Sequence, residues 1–175
     1  SKWMRLPISI PSASKYDLIV IIVFCLGGAW FLWDLPHWAG LVNMGKSQYG
    51  DAAFWWNGAL HFAEGIIKDN PNLDFRMGYA LFAGLFVAVF GGSFFLFHKI
   101  LTVAFLFSAS LLYFALKPAL GRIASAGAIA LLIFNPFTAE WLSISTSDSV
   151  GLILNMAALS CLILGLRNSL HLGFL

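Results

Sequence analysis

The sequence predicts an all-α fold, a polytopic membrane helical bundle with four full spans, a re-entrant or interfacial helix and an external amphipathic loop helix. The first observation is composition, since 60% of the 175 residues are hydrophobic and 10% are charged, against about 25% charged in soluble domains. The mean hydropathy is +0.85. A soluble domain with so few charges would lack the polar surface that keeps it dispersed. The second observation is that apolar runs of spanning length are separated by prolines, glycines and charged residues.

The elements are predicted to form one transmembrane domain over residues 1–175. A basic amino-terminal segment precedes the first apolar run, which Asp34-Leu35-Pro36 ends. The apolar stretch before Gly91-Gly92 is too short to cross a hydrocarbon core of about 30 Å, so we expect it to be re-entrant or interfacial. Because the chain ends in a new apolar run, we expect it to be the amino-terminal part of a longer protein. The predicted ranges are spans 17–34, 100–116, 119–134 and 149–166, a re-entrant helix 77–90 and an external loop 35–76.

Two proline-containing breaks separate the later spans. Lys117-Pro118 predicts a tight basic turn, with Pro118 as the first residue of the next helix, where the missing N–H of proline costs nothing. Asn135-Pro136 is predicted to stop that helix. The segment 137–148 that follows is predicted to be a polar loop.

The distribution of charge predicts an orientation. With four crossings, every acidic residue except Asp17 falls on one side. The basic residues of the short segments on the other side are Lys2, Arg5, Lys15, Lys117, Arg122 and Arg167. Because short cytoplasmic segments are enriched in Lys and Arg, the basic side and the amino terminus are predicted to be cytoplasmic. The expected location is a bacterial inner membrane or an endoplasmic reticulum membrane, with Asp51 and Asp148 on the non-cytoplasmic face.

Several classes of partner and site are disfavoured by the sequence. The scattered basic residues argue against a nucleic-acid partner. Cys25 and Cys161 lie in separate apolar runs, and there is no CxxC or HExxH, so neither a disulfide framework nor a metal site is predicted. A transporter would be expected to carry charged residues near a span midpoint, and none is found there.

The most informative stretch is GDAAFWWNGALHFAEG, from Gly50 to Gly65, predicted to be a helix on the membrane surface because it is rich in aromatic residues. Asp51 opens this helix, and helix capping explains an Asp at that position as well as catalysis does. Asp148, Gly151 and Asn155 fall on one helix face. For that set a structural interpretation also stays open, with Asp148 as a cap and Asn155 in an interhelical hydrogen bond.

The order of these features resembles the amino-terminal module of the C-type (GT-C) glycosyltransferases. This superfamily includes protein O-mannosyltransferases, lipid A aminoarabinose transferases and oligosaccharyltransferase catalytic subunits. The resemblance rests on Asp51 in a first external loop, the RMGY sequence before the re-entrant stretch, the K-P-x-x-G-R turn, the Asn-Pro end of an Ala-rich span and a Ser-rich loop ending in Asp148. It covers most of the chain from Leu18 to Leu166.

The resemblance implies an enzyme that moves a sugar from a polyprenyl-phosphate donor to an acceptor on the non-cytoplasmic side. Asp51 would be the catalytic base, and Asp148 matches the second acidic site. A leaving phosphate needs compensating cations, for which Arg76 and Lys68 are the candidates. Metal-dependent members carry a double acidic motif that could hold Mg²⁺ or Mn²⁺, whereas this chain has Asp148 alone, so no metal ligands are assigned. Accessory roles are assigned to His61, Glu140 and Asn155.

A second function class stays open from the sequence. The chain could be a non-catalytic structural or accessory subunit of a larger membrane complex, with a GT-C-like fold and other membrane subunits as partners. The short chain, the incomplete acidic motifs and the many aromatic and small residues favour this alternative. Both hypotheses share the lipid bilayer as the surrounding medium.

Overall fold

The computed structural model describes residues 13–34, 50–66, 71–144 and 147–172. Throughout these residues the regular structure is α-helical, which confirms the predicted fold class. The seven helices of this part of the chain are α1 (Lys15–Leu32), α2 (Gly50–Ala63), α3 (Pro71–Phe90), α4 (Phe94–Leu120), α5 (Arg122–Ile133), α6 (Pro136–Ile144) and α7 (Ser147–Leu172).

Three of these helices are long and apolar enough to cross a bilayer, namely Lys15–Leu32, Phe94–Leu120 and Ser147–Arg167. A fourth crossing is made only if α5 and α6 act together. At 1.5 Å per residue, α5 alone is about 18 Å long, which is well short of a 30 Å core. α5 and α6 are bent by 48° relative to one another at a short break. The multi-pass character of the chain is therefore confirmed, with three spans or four.

One end of the bundle is defined by a buried carboxylate. Asp17, in the first turn of α1, is fully buried and contacts Tyr113 and Lys117 near the end of α4 and Arg122 at the start of α5. We call this the Asp17 end. Because the start of α1 contacts the end of α4, these two helices are antiparallel. α5 begins at the same end of the bundle.

The opposite end is defined by His98, in the second turn of α4. Its ring nitrogens lie 2.8 Å from the carbonyl oxygen of Leu32, at the end of α1, and 3.0 Å from that of Leu142, in α6. We call this the His98 end. α5 and α6 together therefore run from the Asp17 end to the His98 end. α7 begins at the His98 end, where the Ser149 hydroxyl donates to the Trp141 carbonyl at 2.6 Å.

The α2–α3 pair packs against the first turns of α4, at the His98 end. Trp56 of α2 is buried against Phe94 and Phe97, with ring centroids 5.3 Å apart in both pairs. Phe86 of α3 also contacts Phe97, with ring centroids 5.0 Å apart. Gly84 allows α2 to approach closely, because a Cβ there would lie 2.4 Å from the Phe62 ring.

α4 is longer than the predicted span 100–116, and its end corrects the predicted turn. It begins at Phe94, where the Ser93 hydroxyl accepts from the Leu96 N–H. It then continues through Lys117 and Pro118 to Leu120, so the prediction of a turn at Lys117-Pro118 was wrong. The chain turns instead at Gly121, whose φ of 80° is one that side-chain-bearing residues rarely adopt.

The predicted span 119–134 and the loop after it also need correction. The helix that follows Gly121 is α5, Arg122–Ile133, which is too short to cross alone. Asn135-Pro136 does end it, but the chain resumes at once as α6 because the Asn135 side chain accepts from the Phe137 N–H at 2.9 Å and Pro136 starts a helix readily. Most of the segment predicted to be a polar loop is therefore helical.

The other boundaries differ less. The spans predicted at 17–34 and 149–166 are α1 and α7, each beginning two residues earlier. The external loop predicted over 35–76 contains α2, as expected, and also the first turns of α3, which begins at Pro71 rather than at 77. The apolar part of α3, Gly78–Phe90, is shorter than a span, as its sequence indicated.

Candidate functional site

An apolar pocket lies between α3, α4 and α7 in the half of the bundle nearer the His98 end. Its volume is about 420 Å³, and its walls include Tyr79 and Phe82 of α3, Leu101 and Ala104 of α4 and Val150 of α7. Almost all of the lining surface is carbon, with Ser147 at the edge. A pocket with these walls fits a hydrocarbon chain or another apolar group rather than a polar molecule.

Two glycines leave the space open. A Cβ built on Gly78 of α3 or on Gly151 of α7 would meet no atom within 4 Å, and both residues line the pocket. Neither position therefore carries a side chain that would fill the pocket. From the sequence, Gly151 was expected only to share a helix face with Asp148 and Asn155.

Asp148 lies in the first turn of α7, directly after Ser147 at the pocket edge, and it is exposed. The positive end of the helix dipole favours a carboxylate at this position. A carboxylate here would repel a phosphate unless a cation lay between them, so Asp148 is suited to holding a hydroxyl group or a cation. The charge of Asp148 therefore does not by itself make a phosphate site.

Asp51 lies in the first turn of α2, and its backbone is helical. An N-cap residue has non-helical backbone angles, so in this structure Asp51 is not the residue immediately before the helix. Its side chain lies outside the described part of the chain. The helix that carries it packs at the His98 end, where α7 begins.

The candidate phosphate-binding residues fall largely outside what the structure describes. Lys68 lies outside the described residues. Arg76 is in α3, three residues before Tyr79 of the pocket wall, and its side chain is not described. Since residues three apart lie on the same side of a helix, Arg76 is placed by register near the pocket.

The accessory residues are spread over three helices. His61 is exposed in the last turn of α2, Glu140 is exposed in α6, and Asn155 is exposed in α7. Glu140 belongs to the helix that meets His98, and so lies at the same end as Asp148. In the described part of the chain, no three His, Cys, Asp or Glu side chains come close enough to form a metal site.

The most extensive polar site was missed by sequence reasoning. Asp17 accepts hydrogen bonds from the Tyr113 hydroxyl at 2.7 Å, the Lys117 ammonium at 2.8 Å and the Arg122 Nε at 3.3 Å. The Ser14 N–H and hydroxyl each lie 2.8 Å from Oδ2, and the Ser14 hydroxyl accepts from the Asp17 N–H. The sequence signal was Ser-x-x-Asp immediately before an apolar run, which is a capping box.

His98 was also misplaced by sequence reasoning, which took it as the polar end of a span. It is 1% exposed, and both ring nitrogens face backbone carbonyls. The Thr102 hydroxyl lies 3.4 Å from Nε2. Ser93, five residues earlier, was the helix-start signal that would have placed His98 inside α4. Both missed clusters join helices to one another rather than open to the pocket.

Comparisons of the chain with protein-family models, with curated proteins and with solved structures gave no match.

Proposed function

We propose that the chain is a membrane transferase module of GT-C type, which moves a sugar from a polyprenyl-phosphate donor to an acceptor at the His98 end. The observation that carries this proposal is the apolar pocket between α3, α4 and α7, which has an exposed carboxylate, Asp148, beside its edge. A polyprenyl-phosphate sugar combines an apolar chain with a polar head. A hydrocarbon-lined pocket next to acidic and basic residues matches both parts.

Each part of the donor has a proposed partner. The first isoprene units lie in the pocket, against Tyr79, Phe82 and Leu101. The phosphate is paired with Arg76 and Lys68, because a phosphate that takes up negative charge in the transition state is stabilised by fixed cations. Asp148 holds the sugar hydroxyl groups or an intervening cation, since it would repel the phosphate directly.

Asp51 acts as the general base. It accepts the proton of the acceptor nucleophile, which attacks the anomeric carbon of the sugar. The bond between that carbon and the phosphate oxygen breaks, and its electron pair leaves on the polyprenyl phosphate. A base of this kind contributes about 10²–10⁴-fold to the rate.

Sugar transfer tests the proposal. With a labelled sugar on a polyprenyl-phosphate donor, we expect Asp51→Asn to lower incorporation by about 10²–10⁴-fold, because the amide cannot accept the proton. The matched control is Asp34→Asn, which makes the same chemical change at an exposed residue after α1, at the same end of the bundle. The control is expected to keep the activity of the unmodified protein.

Equal incorporation by Asp51→Asn and the unmodified protein would remove Asp51 from the mechanism. If neither the unmodified protein nor any variant transferred sugar in its native membrane, the proposal would be wrong. The alternative, a non-catalytic subunit of a larger membrane complex, would then be favoured.

A further inference from the structure

A second apolar groove lies between α1 and α4, on a different side of α4 from the pocket described above. Its volume is about 480 Å³, and its walls are formed by Ile21, Cys25 and Ala29 of α1 and by residues of α4 that include Phe107, Ser110 and Phe114. The only hydroxyl among its lining residues is that of Ser110, which donates to the Leu106 carbonyl at 2.8 Å. Apart from the Cys25 thiol, which is a weak donor, the groove therefore offers its occupant contacts with carbon.

The groove has the length and direction of one lipid chain. Its α4 wall extends from Val103 to Phe114, about 16 Å at 1.5 Å per residue. One leaflet of a bilayer has a hydrocarbon depth of about 15 Å. Because both walls are transmembrane helices, the groove runs along the bilayer normal, as an acyl chain does.

The groove leads into the ion pair at the Asp17 end. On α1 the wall residues recur every four positions, and the same row starts at Asp17. On α4 the row continues from Phe114 to Lys117, whose ammonium lies 5.7 Å from the centre of the Phe114 ring. A chain in the groove thus places its head group beside Asp17 and Lys117.

That end of the groove has an excess of positive charge among the described residues. Lys117 and Arg122 share the single carboxylate of Asp17. Lys15 is exposed, and its ammonium lies over the Tyr16 ring without a described carboxylate partner. Arg122 is 45% exposed and also lies over Tyr16. There are therefore three cations to one carboxylate, which leaves a net positive charge at this end, and Lys15 and Arg122 are exposed to an anion.

The other end of the groove lacks such an excess. There Lys99 lies over the Trp33 ring at 5.2 Å, and Asp34 is the next residue in the chain. One described cation and one described carboxylate therefore lie together at this end, which leaves no excess of positive charge there. An anionic head group is therefore favoured at the Asp17 end only.

We propose that the α1–α4 groove binds one acyl chain of an anionic phospholipid, whose phosphate lies on Lys15, Lys117 and Arg122. The chain supplies the apolar surface that fills the groove, and the phosphate neutralises the excess positive charge at the Asp17 end. This lipid site lies at the opposite end of the bundle from the proposed sugar transfer, and does not depend on it.

Native mass spectrometry of the detergent-extracted protein tests the lipid site. Phosphatidylglycerol is compared with phosphatidylcholine carrying the same acyl chains. We expect at least one phosphatidylglycerol to stay bound under conditions that remove phosphatidylcholine. Removing one basic side chain that contacts an anionic lipid weakens binding by about fivefold, which is the expected effect of Lys15→Gln and of Arg122→Gln. Lys15 makes no described hydrogen bond to Asp17, so Lys15→Gln tests the charge without disturbing the ion pair.

Matched variants separate the groove from the general lipid surface. Ser110→Phe fills the groove and is expected to abolish the retained phosphatidylglycerol, whereas Ser110→Ala is expected to keep it. Lys99→Gln removes a basic charge at the other end of the groove, and Ala128→Phe adds a ring on the exposed face of α5. Neither is expected to change lipid retention.

Three results would overturn the proposal. Equal retention of the two lipids would mean that the protein does not distinguish an anionic head group from a neutral one. Retention unchanged by Ser110→Phe would place the lipid elsewhere. A dimer that Ser110→Phe dissociates, with no lipid retained, would show that a second copy of the chain fills the groove.

Discussion

Asp17 carries a buried charge that the surrounding residues satisfy fully. Its two oxygens receive the ammonium of Lys117, the hydroxyl of Tyr113, the Nε of Arg122 and both donors of Ser14. Breaking a buried ion pair by changing one partner is costly because the other charge is left without compensation. Asp17 therefore stabilises the bundle only while all of its donors are present. Changing any one of them is expected to lower the free energy of unfolding, because a buried charge then lacks a partner.

Removing the charge of Asp17 is expected to destabilise the bundle. Asp17→Asn keeps the shape but leaves Lys117 without a counterion, and Lys117 is only 17% exposed. We expect a loss of up to about 3 kcal/mol, at the low end of the range for a broken buried pair because Lys117 has a partial path to water. Thermal unfolding in detergent measures it.

The double variant Asp17→Asn, Lys117→Gln is the control for this change. It removes both charges, so it is expected to be more stable than Asp17→Asn alone. A single variant as stable as the unmodified protein would contradict the importance assigned to this pair.

At the residue scale, the sequence indicated which residues share an end of the bundle, but not which of them are in contact. It placed Asp17 on the basic side of the membrane, which is where its basic partners lie, but it did not pair them. The reason is the separation along the chain, since Lys117 is 100 residues away. Periodicity reports which face of a helix is apolar, and it cannot report which distant helix supplies a partner.

At the scale of elements, the end of α4 was predicted wrongly because of a proline. Pro118 predicted a helix start, but it lies in the last turn of α4, and the chain turns three residues later at Gly121. A glycine just after a basic helix end is the stronger stop signal, because only glycine adopts the positive φ found there at little cost. Lys-Pro-x-x-Gly-Arg contained both signals, and the glycine was the correct one.

The pocket between α3, α4 and α7 depends on a missing side chain in α7, which gives an element-scale prediction. Gly151→Leu is expected to fill the pocket and raise the KM for a polyprenyl-phosphate donor by at least about tenfold, since the donor would lose the apolar contacts of its first isoprene units. Two such units bury enough carbon for about 1.4 kcal/mol, a factor of ten, at about 25 cal/mol per Å². Transfer kinetics at varied donor concentration measure the change.

Gly165→Leu is the matched control, on the same helix. A Cβ at Gly165 also meets nothing within 4 Å, and the residue does not line the pocket. Its KM is expected to match that of the unmodified protein. A KM raised equally by both variants would mean that the effect comes from α7 as a whole and not from the pocket.

At the scale of the whole molecule, the two polar clusters fix which helix ends lie together. Asp17 joins α1, α4 and α5 at one end, and His98 joins α1, α4 and α6 at the other. These contacts place the start of α5 and the α6 helix at opposite ends of the bundle, which a fourth crossing by the bent pair would require. The charge distribution predicted four crossings, and the boundaries predicted for the third of them, 119–134, were wrong. The association of α5 with α6 could not be predicted from the sequence. A bent pair of short helices contains no single apolar run long enough to span a bilayer.

Cysteine labelling in intact cells tests this arrangement. With Cys25 and Cys161 changed to Ser, single cysteines are introduced by Asp34→Cys and Glu140→Cys at the His98 end and by Ala13→Cys and Leu120→Cys at the Asp17 end. All four positions are exposed. A maleimide that does not cross the membrane is expected to label the first pair from outside, and the second pair only after permeabilisation.

Labelling of the two members of one pair from opposite sides would contradict four crossings. Labelling of both pairs with the sides exchanged would contradict only the orientation derived from the positive-inside rule.

The distance along the chain between Asp17 and its partners also constrains the order of biosynthesis. Ribosomes add about 5–20 residues per second, so Asp17 leaves the ribosome roughly 5–20 s before Lys117 and Arg122, which are 100 and 105 residues later. During that delay the first helix has its carboxylate without a basic partner, and water at the membrane surface must solvate it. The ion pair of Asp17 can therefore form only after α4 has been synthesised.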